Sequence, residues 1–301
     1  VHLLVLGGGG FLGHYAVTAA LGRGHEVTVL DRSGESPVEH AVVLTGDRDG
    51  DLSALGSGTW DAVLDTAVDT RPGPTAVRRT AEVLRDRVGT YCSVSALADR
   101  AAAGELLAGA FGDRVLLAGV GTLVGPRDPS DRFGYWPLRL ARAREGTRPD
   151  PVLVPGDPSR RVEYADVRDV ADWLVQLLDD GATGVHDAVG PGRPDTLGEV
   201  IAACETGAGS TTEHVELVWA DEGWLHDQLH DVPVDRRPLW FPDGSAPRED
   251  EHRGGGLTSR PMAETARDTV QWAWDHALSG GLTAGLTAER EQELVRAWRS
   301  R

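Results

Sequence analysis

The sequence predicts an α/β chain, a doubly wound parallel sheet followed by a smaller C-terminal cap. Three observations point there. Short apolar runs of strand length alternate with helix-like stretches over the first half. The first run ends in a glycine-rich turn with a helix directly behind it. The alternation thins after about Pro155, where the chain becomes rich in Trp and Pro.

Taken in order, the strand-like runs fall at Leu3–Leu6, Glu26–Leu30, Ala41–Leu44, Asp61–Asp65, Tyr91–Ser95, Val115–Ala118 and Val152–Val154. Helix-like stretches lie between them at Phe11–Arg23, Pro74–Val88, Arg100–Phe111 and Pro137–Arg144. Buried-type strands joined through helices require right-handed crossovers, which build a parallel sheet. Two further helices, Val167–Leu178 and Leu197–Glu205, flank a strand-like Val185–Val189. A Trp/Pro-rich stretch, Trp219–Pro247, then precedes the helices Met262–Leu278 and Ala288–Arg299. The expected division is residues 1–155 for the sheet domain and 156–301 mainly for a substrate-binding subdomain, some segments returning to the sheet.

Bulk composition narrows the function. The chain has 301 residues, 47 acidic against 30 basic, and a formal charge of −17. Such a surface repels phosphate backbones and anionic bilayers, so no nucleic-acid or membrane partner is expected. No apolar run approaches the roughly 18 residues of a membrane span. The first residues read as a strand, and the expectation is a cytoplasmic protein. Cys92 and Cys204 make no disulfide framework. Every basic residue is Arg, and the absence of Lys excludes Schiff-base chemistry and the P-loop lysine.

The first strand runs into Gly7-Gly8-Gly9-Gly10-Phe11-Leu12-Gly13. Gly7 permits the tight turn, Gly10 lets backbone approach a pyrophosphate, and Gly13 lets helix and strand pack closely. Amides at the helix start then face the phosphates. A second strand follows, ending in Asp31, 21 positions past Gly10. Strand, turn, helix and acidic residue together read as a Rossmann dinucleotide site. Asp31 suits a ribose 2′-hydroxyl and points to NAD, whereas Arg32 and Ser33 suit a 2′-phosphate. The residues lean slightly to the second, so NADPH is the expected cofactor, with NADH as the alternative.

Three motifs carry a family resemblance. They are residues 7–13, Gly46-Asp47-Arg48-Asp49 after the third strand, and Val124-Gly125-Pro126-Arg127-Asp128-Pro129 after the sixth. Together with the tail from Arg260-Pro261-Met262, they resemble the extended short-chain dehydrogenase/reductases of epimerase/dehydratase type. The resemblance implies that Gly7, Gly10 and Phe11 face the pyrophosphate, with Gly9 and Leu12 in the same turn. It implies that Asp47 and Arg48 flank the adenine, and that Thr66 and Ala67 line the ribose. It also implies that the turn around Val120 meets the nicotinamide.

The family's chemistry uses a Ser or Thr after the fifth strand, then Tyr and Lys four residues apart, the Lys lowering the Tyr pKa. This chain departs throughout. Ala96 stands where the hydroxyl belongs, and helix-like sequence resumes by Arg100. None of Tyr15, Tyr91, Tyr135 and Tyr164 has Lys at the fourth position, and the Arg139 and Arg168 found there cannot relay a proton. An intact cofactor frame without the tetrad resembles the atypical angucyclinone ketoreductases. That implies hydride transfer to a ketone of an aromatic polyketide in antibiotic biosynthesis. A non-catalytic dinucleotide sensor, and a non-redox isomerase or dehydratase on the same frame, are the alternatives.

Few side chains stand out as catalytic. Ser95 and Tyr135 are the weak candidates for the missing acid. Ser95, Phe133, Tyr135, Trp136 and Trp224 are the candidates for holding a flat substrate, with Trp219 and Trp240 as further aromatics of the cap. His226 and His230 share a helix face at i and i+4, but lack a Glu between them and a third ligand, so no metal is expected. Asp166, Asp169 and Asp172 read as helix-start carboxylates.

Overall fold

The computed structural model describes residues 1–36, 38–66, 74–97, 99–143, 150–190, 194–209, 215–239, 256–276, 282 and 284–301. Two units separate. The first holds the described residues of Val1–Leu123, Val167–Gly192 and Glu249–Ser259; the second holds those of Val124–Asp166, Arg193–Arg248 and Arg260–Arg301. The chain therefore passes between units more than once, and the strand Gly184–Ala188 belongs to the first.

The first unit is built on a seven-stranded sheet in which every pairing is parallel. Its elements are β1 (His2–Leu6), α1 (Phe11–Gly22), β2 (Glu26–Asp31), β3 (Val42–Thr45), β4 (Trp60–Asp65), α2 (Pro74–Leu84), β5 (Val88–Ala96), α3 (Arg100–Phe111) and β6 (Val115–Val120). The helix Val167–Asp179 and the strand Gly184–Ala188 complete it. Across the sheet the order is β3, β2, β1, β4, β5, β6 and Gly184–Ala188, a Rossmann doubly wound arrangement. The order reverses between β1 and β4, and ligands of such sheets bind beyond the strand ends at that point. There, Leu6 is level with Leu30 of β2 and Asp65 of β4.

The central strands are buried on both faces because helices cover both, which explains runs such as Leu3–Leu6 without polar alternation. Helix α1 packs beside Val167–Asp179, and α2 beside α3. Beneath the second pair lies a core of Leu4, Leu6, Val63, Leu84, Tyr91 and Leu107. Strand β5 begins three residues earlier than the apolar run suggests. Gly89 looks like a breaker in sequence, but a Cβ there would lie 2.5 Å from the Asp61 carbonyl oxygen, so the glycine is what lets β5 close on β4.

The second unit packs the helices Tyr135–Arg142, Leu197–Gly207 and Met262–Asp275 around a core that includes Phe133, Tyr135, Trp136, Leu197, Ile201 and Met262. The strands Val152–Pro155 and Leu217–Ala220 pair in parallel, and Leu153 and Val218 pack against helix Ala288–Arg299 residues Leu294 and Val295. The strand Leu217–Ala220 and helix Glu222–Gln228 fall where sequence reading finds a Trp/Pro-rich stretch. A four-residue strand followed by a seven-residue helix is too short to show a periodicity.

Two glycines of α1 make a test of this packing. A Cβ on Gly13 would lie 2.0 Å from the Gly7 carbonyl oxygen, whereas one on Gly22 would meet nothing within 4 Å. Gly13→Ala is expected to destabilise the chain by about 1–3 kcal/mol through overpacking. Gly22→Ala is expected to stabilise it by up to about 1 kcal/mol by favouring the helix. Thermal melts of both variants check the contrast, and equal shifts would contradict it.

Candidate functional site: a dinucleotide cradle

The cradle starts at the glycine turn. Gly7 sits at φ +84°, a conformation glycine adopts without strain, and the Gly10 amide donates to the Gly7 carbonyl at 2.9 Å. Gly8 lies against β2, where a Cβ would come within 2.7 Å of Val29 Cγ1. Gly13 presses on Gly7 and on the Thr66 hydroxyl. Helix α1 then begins with Gly10 as N-cap, without a side-chain cap and without an acidic residue in its first turn. Its first N–H groups have no carbonyl partner within the helix, so the turn presents amides and a positive dipole end to an anion. A pyrophosphate fits this donor set. Phe11 and Leu12 contribute backbone only, because both side chains are buried in the protein.

The end of β2 bears on the choice between the two cofactors. The Ser33 amide and hydroxyl both donate to Asp31 Oδ1, at 2.7 and 2.5 Å. The other oxygen, Oδ2, faces the turn, and a Cβ on Gly9 would lie 3.7 Å from it. One carboxylate oxygen is therefore held while its twin faces the glycine turn. Arg32 is exposed. The lean toward NADPH needs the Ser33 hydroxyl for a 2′-phosphate, and that hydroxyl is engaged by a carboxylate which would repel the phosphate. The expectation of NADPH is corrected on this ground and on the comparisons below.

Beyond β3 the Asp47–Asp51 loop folds on itself, the Asp47 amide donating to the Asp51 carbonyl at 2.8 Å and the Asp49 amide to Asp47 Oδ1 at 3.0 Å. Arg48, expected beside an adenine, instead sends Nη1 and Nη2 to Asp65 Oδ1 and Oδ2 at 2.8 and 2.7 Å. Burial works against its charge, but the attraction of Asp65 and Tyr91 more than offsets this, and its pKa rises. Tyr91 donates to Asp65 Oδ2 at 2.7 Å, and burial followed by the Asp65 charge pushes its pKa well up. Thr66 turns its hydroxyl to the carbonyls of Leu6 and Gly7, at 3.1 and 3.4 Å, so it secures the turn. Ala67 lies outside the described residues. Sequence reading missed Asp65; a carboxylate closing an apolar strand was the available signal.

At the far end of the sheet, Ser95 of β5 and Asp187 of Gly184–Ala188 are both level with Gly119 of β6. The Ser95 hydroxyl is shielded from solvent and has no hydrogen-bond partner among the described residues. Asp187 is 2% exposed and paired with Arg100 at the start of α3. Gly119 has no room for a side chain, since a Cβ would lie 2.4 Å from Asp187 Oδ1 and 2.8 Å from Leu97. Val120, the expected neighbour of the nicotinamide, is buried at the end of β6.

Several expected substrate contacts are structural. Phe133, Tyr135 and Trp136 lie within the core of the second unit, and Trp136 Nε1 donates to the Leu239 carbonyl at 3.0 Å. Tyr135 donates to the buried Glu291 at 3.4 Å, and Glu291 also holds Arg139 Nε at 2.5 Å. Burial and then the Glu291 charge push the Tyr135 pKa far up. Trp224 packs against Trp298 in a tilted pair, ring centroids 5.0 Å apart, under the Arg301 guanidinium. Trp240 lies outside the described residues. His230 contacts the Asp227 carbonyl through its ring, and among the described residues no group of three or more His, Cys, Asp or Glu is placed to hold a metal. Nor is any helix there long and apolar enough to cross a membrane.

Comparison with known proteins agrees with the cradle. Residues 3–107 match the NAD dependent epimerase/dehydratase family, a segment that builds the glycine turn, the Asp31 strand end and the Asp65 strand end. No curated protein matches. Among solved structures, UDP-glucose 4-epimerase of Thermus thermophilus, in complex with NAD, is 19% identical with a TM-score of 0.60, over 90% of this chain and 99% of that one. The dTDP-glucose 4,6-dehydratase of Bacillus anthracis, also with NAD, is 16% identical with a TM-score of 0.60, over 92% and 98%. The UDP-glucuronic acid 4-epimerase of Bacillus cereus with NAD is 14% identical with a TM-score of 0.61, over 94% and 100%. These likenesses establish the shared fold. They correct the expectation of an angucyclinone ketoreductase, its aromatic polyketide substrate and its place in antibiotic biosynthesis. The similar structures are named for nucleotide sugars and carry NAD.

Replacing Asp31 tests the cofactor geometry. Asp31→Ala is expected to weaken NAD by about 1.5–3 kcal/mol, the range for hydrogen bonds to a charged group. It is expected to leave NADP no weaker, because a repelling carboxylate has gone. Calorimetric titration of the variant with both dinucleotides checks this, and parallel losses would show that Asp31 does not read the ribose.

Proposed function

We propose that the protein is an NAD-dependent enzyme of epimerase or dehydratase type acting on a nucleotide sugar. The observation that carries this reading is whole-length likeness to such enzymes combined with an NAD-type cradle at Asp31. It shares the reaction class of the isomerase/dehydratase alternative of the sequence reading, but differs from that non-redox alternative in using the dinucleotide.

Bound NAD would supply a reversible hydride acceptor. The chain's own residues supply the rest. Gly7–Gly13 would hold the pyrophosphate through backbone amides, and Asp31 Oδ2 would take the ribose hydroxyls. A sugar alcohol losing hydride must also lose its hydroxyl proton, and the usual Tyr/Lys pair is absent from the sequence. Ser95 offers a shielded hydroxyl at the strand ends, and Asp187, charge-balanced by Arg100, is the carboxylate in the same cross-strand row. In this reading Ser95 holds the substrate hydroxyl and Asp187 keeps the proton until it returns.

The test is direct. Incubation of the protein with NAD and UDP-glucose, and separately with dTDP-glucose, is expected to yield an epimer or a keto-deoxy sugar visible by proton NMR. Asp187→Asn should lower turnover by at least about a hundredfold, in the range for a lost general acid–base. Unaltered sugars in both incubations, with NAD bound, would refute the substrate class.

A further inference from the structure

The end of β4 carries two adjacent residues that tie down two different loops. Thr66 bonds back to the glycine turn, as described. Asp65, 5% exposed and level with Leu6 at the switch point, receives both terminal nitrogens of Arg48 and the hydroxyl of Tyr91. Arg48 is further steadied by Nε, 3.4 Å from the buried Thr80 hydroxyl. From α2, Arg79 donates to the carbonyls of Asp49 and Gly50 at 3.3 and 2.8 Å. The Asp47–Asp51 loop is thus anchored near its start, at Arg48, by an ion pair rooted in the sheet.

A buried ion pair is weak evidence for stability, since apolar residues of similar volume often replace one without loss. Its use here is geometric. A bidentate guanidinium–carboxylate pair fixes both distance and plane, and this one joins a loop to the strand beside which the sheet order reverses. We propose that Asp65 is a positioning residue for the adenosine half of the dinucleotide: through Arg48 it sets the height of the Asp47 loop relative to the glycine turn held by Thr66. The inference rests on the reading of this site as an NAD cradle. It assigns the work to a carboxylate that acts through Arg48, with Tyr91 donating to it from within the core.

The experiment separates the two ends of the ligand. Wild-type protein, Asp65→Asn, Arg48→Lys and Tyr91→Phe are titrated with NAD, AMP and nicotinamide mononucleotide by calorimetry, with a thermal melt for each. Asp65→Asn is expected to lose about tenfold or more for AMP and NAD, an effect of displaced positioning groups, and less than about twofold for the mononucleotide. Arg48→Lys keeps the charge without the fork and should recover part of the loss. Tyr91→Phe keeps the core ring and should cost AMP about two- to threefold, so the proposal stays testable if Asp65→Asn does not fold. Unchanged AMP binding in the folded variants, or equal losses for AMP and the mononucleotide, would overturn it. A wild-type protein that binds no NAD would instead refute the cradle itself.

Discussion

One backbone contact sets the geometry of the cofactor unit. Gly13 of α1 sits so close to the Gly7 carbonyl that a single methyl group would overlap it, and the same methyl would lie 2.8 Å from the Thr66 hydroxyl. Helix, turn and β4 meet there without an intervening side chain. The approach aims the open end of α1 along the turn, and it lets the Thr66 hydroxyl reach the carbonyls of Leu6 and Gly7. An anion site made of amides depends on that aim, because helix-end electrostatics fall off within the first turn.

Charge selection is layered on this frame by short-range bonding. Ser33 holds one oxygen of Asp31 and leaves the other facing Gly9. The same pattern, a carboxylate held by neighbours and so fixed in direction, recurs with Asp65 under Arg48 and Tyr91, and with Asp187 under Arg100. All three lie at or next to the carboxyl ends of sheet strands. In a chain without lysine, arginine is the partner in two of them, and the Arg48 pair is a bidentate fork that fixes the plane of its carboxylate.

Much of this was legible in the sequence. The strand–turn–helix order, the glycine spacing and the strand runs give the sheet, because burial on both faces imposes continuous apolar stretches that need no tertiary information. The cofactor choice was not legible. Asp31, Arg32 and Ser33 offer both answers as a list, and only the bonds from Ser33 to Asp31 show which groups remain free for a ligand. The pairing of Arg48 was not legible for a related reason. Its partners, Asp65 and Tyr91, are distant in sequence, and pairing across strands leaves no local signal. The aromatic run Phe133–Trp136 was read as a stacking surface because its residue types fit one, yet burial turns it into core. The polyketide expectation rested on catalytic residues that are missing, and an absence carries no information on what a pocket holds.

The central claim is that this cradle accepts NAD and rejects its 2′-phosphate. Competitive titration of the purified wild-type chain with NAD and NADP tests it most directly. The account predicts that NAD binds at least about tenfold tighter, since a fixed carboxylate facing a phosphate costs more than the roughly 1.4 kcal/mol of that ratio. Equal affinities, or a preference for NADP, would contradict it.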